Sequence, residues 1–150
     1  MSDVIDGLNG LLADATVFYY KIHNYHWNVR GPQFFSLHEE FEKLYTEWAT
    51  VVDDLAERIL ALGGRPVPTL AACLKLARVV EETGTPDASG MVGAILNDLH
   101  AQRERMKEVS ATAQKADDKT TENILDDFLD SMAKHAWMYA AFLGRGVNED

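Results

Sequence analysis

The chain has 150 residues, 47% hydrophobic and 25% charged, which is enough to bury one core without disulfide staples. Fourteen basic against twenty-four acidic side chains leave a net charge of −10, which disfavours binding nucleic acid through its phosphates and suits a surface that attracts cations. The longest unbroken apolar run, Ala136 to Leu143, is too short to span a membrane, the opening residues do not read as a secretory signal, and a lone cysteine, Cys73, fits a reducing cytoplasm.

Glycine and proline are sparse, and the stretches between them carry apolar residues in steps of three and four, the period of an amphipathic helix. The first stretch, about residues 4 to 30, places Leu8, Leu11, Ala15, Phe18, Ile22, Tyr25 and Val29 on one stripe. After Gly31-Pro32 the second, about 34 to 62, does so with Leu37, Phe41, Leu44, Trp48, Val51, Leu55, Ile59 and Leu62. Ser36 and Glu39 have capping-box spacing near its start, and Gly63 is a natural stop. An apolar segment from Thr69 to about Val80 reads as a minor helix bridging the two halves. The third long helix is expected from about Met91 to Ala113, with Val92, Ile95, Leu99, Met106 and Val109 inside. The fourth is expected from about Asp118 to Leu143, with Leu125, Phe128, Met132, Ala136, Tyr139 and Phe142 inside. Met91, Met106, Met132 and Met138 read as core filling. No stretch alternates as a strand does, so residues 1–150 read as one all-α domain, a four-helix bundle with a short helix in the long middle connection.

Carboxylates and imidazoles grouped on one helical face need a reason. His26 ends the first helix, and the tight turn at Gly31-Pro32 brings it level with His38 and Glu42 at the start of the second. His38 and Glu42 are four apart, hence stacked on one side, and imidazole with carboxylate suits iron, zinc or manganese. A second pair, Asp53 and Glu57, lies about 60° round the same helix from His38 but ~22 Å along it, too far for one metal site. Within one chain these are two half-sites. Two copies of the second helix packed antiparallel about a twofold axis near Trp48 would bring Asp53 and Glu57 of one to His38 and Glu42 of the other, giving two equivalent sites per dimer.

At these residues a family resemblance appears. His23-Asn24-Tyr25-His26-Trp27-Asn28-Val29-Arg30-Gly31, Phe34-Phe35-Ser36-Leu37-His38-Glu39-Glu40-Phe41-Glu42 and Asp53-Asp54-Leu55-Ala56-Glu57-Arg58 resemble the Dps family of ferritin-like mini-ferritins. Lys134-His135-Ala136-Trp137-Met138 and Ala141-Phe142-Leu143-Gly144 are similar to that family's ending. The resemblance implies a ferritin-like bundle assembled as a hollow shell of twelve subunits, oxidising Fe(II), preferably with hydrogen peroxide, and storing ferric mineral. It implies an oxidation centre between twofold-related subunits, with His26, His38 and Glu42 from one and Asp53 and Glu57 from the other. Glu42 stands where many members carry Asp, a longer arm on the same ligand type. Trp27 matches the family's aromatic near the iron; Trp27 or Tyr25 would take stray oxidising equivalents, or else simply pack. None of the five histidines has a Glu three residues before it, which argues against the intra-bundle di-iron centre of larger ferritins.

Asp118, Glu122, Asp126 and Asp130 recur every four residues at the start of the last helix. They read either as acids favouring the positive end of a helix dipole or as the lining of an acidic iron-entry pore at a threefold axis, where the resemblance places one. His100 and His135 read as structural, and His23, three residues from His26, as packing or support for the site. Direct DNA binding is the rival function. The first twenty residues hold no Lys or Arg and the chain ends Asn148-Glu149-Asp150, so protection of DNA is expected to be indirect.

Overall fold

The computed structural model describes residues 1–148, so the acidic ending Glu149-Asp150 lies outside the described residues. Four long helices form, α1 (Ser2–Asn28), α2 (Phe34–Ala61), α4 (Ala88–Lys115) and α5 (Lys119–Phe142), with short α3 (Leu70–Leu76) in the middle connection. The periodic stripes become the core. All seven positions of the first stripe are buried, as are Leu37 to Ile59 of the second, and Phe18 meets Trp48 edge-on with ring centres 5.0 Å apart. Each such side chain contributes about 1.5–3 kcal/mol by leaving water.

The helix ends follow from backbone chemistry. Gly63 has φ +83, and the Gly63 and Gly64 amides bond back to the Leu60 and Ile59 carbonyls at 2.9 Å each, closing α2 in the left-handed turn that glycine adopts without a Cβ penalty. The expected capping box at Ser36 and Glu39 does not form. The tight turn at Gly31 already starts the helix at Phe34, so Ser36 falls inside the first turn and its hydroxyl donates to the Gln33 carbonyl at 3.0 Å. Phe142 and Met138, expected inside, are 41% and 42% exposed. Both lie on one side of α5, four residues apart, while Tyr139 and Ala140 between them are buried.

α2 runs antiparallel to α1 after a tight turn, but α4 does not return as its hairpin partner. The connection of residues 62–87 is laid along α1 instead, pinned at successive levels. Asn9 exchanges bonds with Arg65 and Val67 at 3.1 and 2.7 Å; Asp14 Oδ1 accepts from the Arg78 and Val79 amides at 2.6 and 3.1 Å. Further along, Lys21 donates to the Val80 carbonyl at 2.8 Å and Tyr25 to Glu82 at 2.6 Å. From residue 9 to 25 this track covers ~24 Å of helix. α4 therefore starts at the end where α2 started, parallel to it, and α5 runs antiparallel to both.

Two charged pairs tie α1 to α4: Asp14 with Arg105 at 3.0 Å and Lys21 with Asp98 at 2.8 Å. Asp14 is 1% exposed, so its carboxylate is tolerated only because both oxygens are occupied. Asp14→Ala would leave the Arg105 guanidinium with only the Leu76 carbonyl and two amides without partners. It is expected to cost about 3–5 kcal/mol in denaturant unfolding. Asp14→Asn, which keeps an acceptor but loses the charge, is expected to cost less; no cost at all in the Asn variant would count against the ion pair.

Candidate metal centre

The turn at Gly31, with φ +108, folds the end of α1 against the start of α2 and brings His26 onto His38. Their rings stack at 3.8 Å and 11°. Each Nδ1 lies 2.7 Å from the backbone carbonyl of the other residue. A carbonyl only accepts, so each Nδ1 carries a proton and a metal would be met through Nε2. The two imidazoles are thus held parallel, with both Nδ1 atoms committed to the backbone. His26 is 8% exposed and His38 half-buried, while Glu42, Asp53 and Glu57 are exposed.

Glu42 follows one turn after His38, and Tyr45 donates to its Oε1 at 3.4 Å. Asp53 and Glu57 sit about two turns and about one turn from the far end of α2. Among the described residues no three His, Cys, Asp or Glu side chains of one chain come together as a metal site. The groups remain two separate clusters on one helix. Trp48 does not face outward at the level proposed for a twofold axis: it is 1% exposed and its Nε1 donates to Gln102 at 3.1 Å. Ala49 and Val52 present themselves there instead, with Ala49 only ~20° round α2 from His38. They line a groove of ≈ 710 Å³ together with Tyr20, Leu70, Cys73 and Leu74.

Around the imidazoles lies an aromatic shell. His23 stacks on Tyr45 at 3.7 Å, and Tyr45 meets His26 edge-on at 5.3 Å. Burial and the neighbouring His26 push the His23 imidazole below its usual pKa. Trp27 is 57% exposed and its rings in contact are His23 at 5.2 Å and Tyr20 at 6.0 Å. Tyr25 is fully buried with its hydroxyl on Glu82, and burial followed by that carboxylate raises its pKa strongly. Tyr45 was not singled out in the sequence, although it lies seven residues after His38 and three after Glu42, hence on their face.

Of the four recurring acids, Asp118 is committed elsewhere. It is 6% exposed and caps α5, accepting from the Thr121 amide at 3.1 Å and hydroxyl at 2.5 Å while pairing with Arg58 at 2.7 Å. That realises the helix-terminus reading at this position. Glu122 is half-buried beside Lys119 at 3.7 Å, and Asp126 and Asp130 are exposed, Asp130 near Lys134 at 3.6 Å. His135 binds Glu47 of α2, which also takes the Ser131 hydroxyl, a structural link between α2 and α5. His100 is half-buried.

These features define a ferritin-like protein: the family model for the ferritin-like domain matches residues 5–147. The DNA protection during starvation protein 2 of Bacillus anthracis is 46% identical over 142 residues, covering 95% of this chain and 97% of that one. The crystal structure of a Dps protein from Bacillus brevis superposes with TM-score 0.93 at 44% identity, covering 95% and 98% of the two chains. The Dps structure from Listeria monocytogenes superposes with TM-score 0.94 at 36% identity, covering 97% and 96%. The chain belongs to the Dps family of ferritin-like proteins.

Burial raises the Asp118 carboxyl, but the Thr121 hydrogen bonds and Arg58 outweigh it and hold the group below the usual aspartate range. A pKa lowered by folding adds stability that is fully present above the unfolded value of about 3.9 and is lost as pH falls through the folded one. Asp118→Asn is expected to lower stability at pH 6 and to flatten the acid limb of the stability curve below about pH 4. Acid limbs of equal slope in variant and parent would refute this role.

Proposed function

We propose that this chain is a mini-ferritin that oxidises Fe(II), preferably with hydrogen peroxide, between twofold-related subunits and stores the ferric product inside a shell of twelve. The observation that carries the proposal is the reciprocal His26–His38 arrangement, which commits both Nδ1 atoms to backbone carbonyls and leaves Nε2 of each ring for a metal, one helical turn before Glu42. Iron is here the substrate. The imidazoles favour Fe(II), and the exposed carboxylates of Glu42, Asp53 and Glu57 hold both Fe(II) and Fe(III). Two Fe(II) ions each give up one electron; hydrogen peroxide accepts both, its O–O bond breaks, and with two protons it leaves as two waters. Loss of the Fe(II) substrate removes the reactants of radical chemistry, so DNA is protected without being bound.

The separation of the half-sites supports a subunit-bridging centre. Asp53 and Glu57 of the partner would meet His26, His38 and Glu42 if two α2 helices pack antiparallel. Small Ala49 at the midpoint allows that approach, and exposed Tyr20, Leu70 and Leu74 offer apolar surface for a second copy to cover. Glu122, Asp126 and Asp130 are the acids left to line an entry pore, since Asp118 is occupied by its cap. On this reading the protein is a cytoplasmic homo-oligomer. No helix among the described residues is long and apolar enough to cross a membrane.

A divided site makes a specific demand on mixed assemblies. Chains carrying His26→Ala with His38→Ala, and chains carrying Asp53→Ala with Glu57→Ala, are each expected to lose peroxide-driven Fe(II) oxidation, followed by ferric absorbance. Co-assembled, a mixed dimer keeps one intact site of two, so random pairing is expected to restore about a quarter of the parent activity. No recovery in well-mixed shells would place the ligands in one chain or refute the centre. At neutral pH and low salt no mobility shift of duplex DNA is expected, and a shift would revive the rival reading.

A further inference from the structure

Backbone carbonyls orient the two imidazoles of the half-site, but the carboxylate proposed beside them has no such partner among the described residues. Glu42 is exposed, and its neighbour Lys43 is drawn instead to Glu39 at 3.6 Å. Among the described residues, the Glu42 carboxylate accepts one hydrogen bond, from the Tyr45 hydroxyl to Oε1 at 3.4 Å. That hydroxyl is held by its ring. Tyr19, His23 and His26 stand four and three residues apart on α1, hence on one stripe, and all three meet Tyr45. His23 stacks on it at 3.7 Å and 22°, while Tyr19 and His26 meet it edge-on at 6.1 and 5.3 Å. Tyr19 also crosses His23 at 4.7 Å, and the buried Nδ1 of His23 has no hydrogen-bond partner, so ring contacts close the clamp. One stripe of α1 thus aims a half-buried phenol of α2 at a carboxylate about one turn before it on the same helix.

We infer, on the iron-oxidation reading above, that Tyr45 is a positioning residue for Glu42: its hydroxyl holds Oε1 and leaves Oε2 to meet Fe(II). At neutral pH a phenol, with an ordinary pKa of about 10, keeps its proton and donates it to a carboxylate. The bond removes rotamers that a solvated glutamate otherwise samples, so less ordering remains when the ion arrives. The long arm of Glu42 makes this support necessary, because a glutamate has more rotamer freedom to lose than the shorter aspartate. In this role Tyr45 acts on iron only through Glu42.

The test uses the assembled protein. Fe(II) binding is read anaerobically by equilibrium dialysis, and peroxide-driven oxidation by ferric absorbance across Fe(II) concentrations. Tyr45→Phe keeps the ring and its stack and removes only the hydroxyl. It is expected to weaken Fe(II) binding about three- to tenfold, the contribution of one hydrogen bond. KM for Fe(II) is expected to rise by a similar factor while kcat stays within about twofold, the pattern of lost ground-state binding. A structural role alone would lower thermal stability and leave that split unmoved. In a Glu42→Ala background the hydroxyl has nothing to hold, so adding Tyr45→Phe is expected to change binding no further. Additive losses in the double variant, a fall in kcat with KM unchanged, or parent-like binding by Tyr45→Phe overturn the inference. If the parent binds and oxidises Fe(II) while Tyr45→Phe matches it, the role of Tyr45 alone is refuted. A parent that neither binds nor oxidises Fe(II) refutes the ferroxidase reading and this inference with it.

Discussion

A buried carboxylate organises the bundle. Asp14 sits in the middle of the most apolar helix and reaches two things at once, the backbone of the long connection and the Arg105 guanidinium of α4. Those bonds hold residues 62–87 along α1, and that track makes α4 begin where α2 begins. The parallel placement of α2 and α4 leaves α5 antiparallel to α2, so that Arg58 meets Asp118 and Glu47 meets His135. It also leaves the outer face of α2, with His38, Glu42, Asp53 and Glu57, uncovered by the chain's own helices.

The histidine pair shows how a backbone can tune a ligand. In many metal sites the second nitrogen of a ligating imidazole is oriented by a carboxylate or carbonyl. Here each histidine supplies the carbonyl that orients the other, so both rings are set by one local fold at the α1–α2 turn. Orientation and tautomer thus precede any metal. The acidic half-site has no such support; Asp53 and Glu57 are exposed.

The helices and their buried faces were readable in the sequence because a period of 3.6 is a local property. The four long elements fall where the periodicity put them, as do the stripe residues from Leu8 to Ile59, whereas α3 stops at Leu76 and Ala77 is already extended. The misplacements of Phe142 and Met138 share a cause: the two stand four apart on one face of α5, and the face turned to the core at that level is the one carrying Ala136, Tyr139 and Ala140. The capping box failed because Gly31 decides the start of α2 two residues ahead of Ser36. Partners distant in sequence stayed hidden. Asp14 meets Arg105, Lys21 meets Asp98 and Trp48 meets Gln102 only after the connection is laid down. The meeting of His26 with His38 was readable from the turn, but the mutual carbonyl bonds were not, since main-chain acceptors carry no sequence signal. Asp118 looked like its neighbours in the acidic series, and only Arg58 and Thr121 set it apart.

The spacing of the two half-sites along α2 has a consequence for how this helix can evolve. Because one element carries both, it acts as a ruler whose graduations are residues. A single insertion between His38 and Asp53 would rotate one cluster by about 100° against the other and spoil both sites of a dimer together. An insertion of seven would restore the facing direction yet move the clusters about 10 Å apart, and the partner helix, lengthened identically, would match it. Length changes in α2 are therefore admissible only in steps that restore the facing direction, such as seven or eleven residues, and the Gly31 turn that sets His26 on His38 is held fixed beside them.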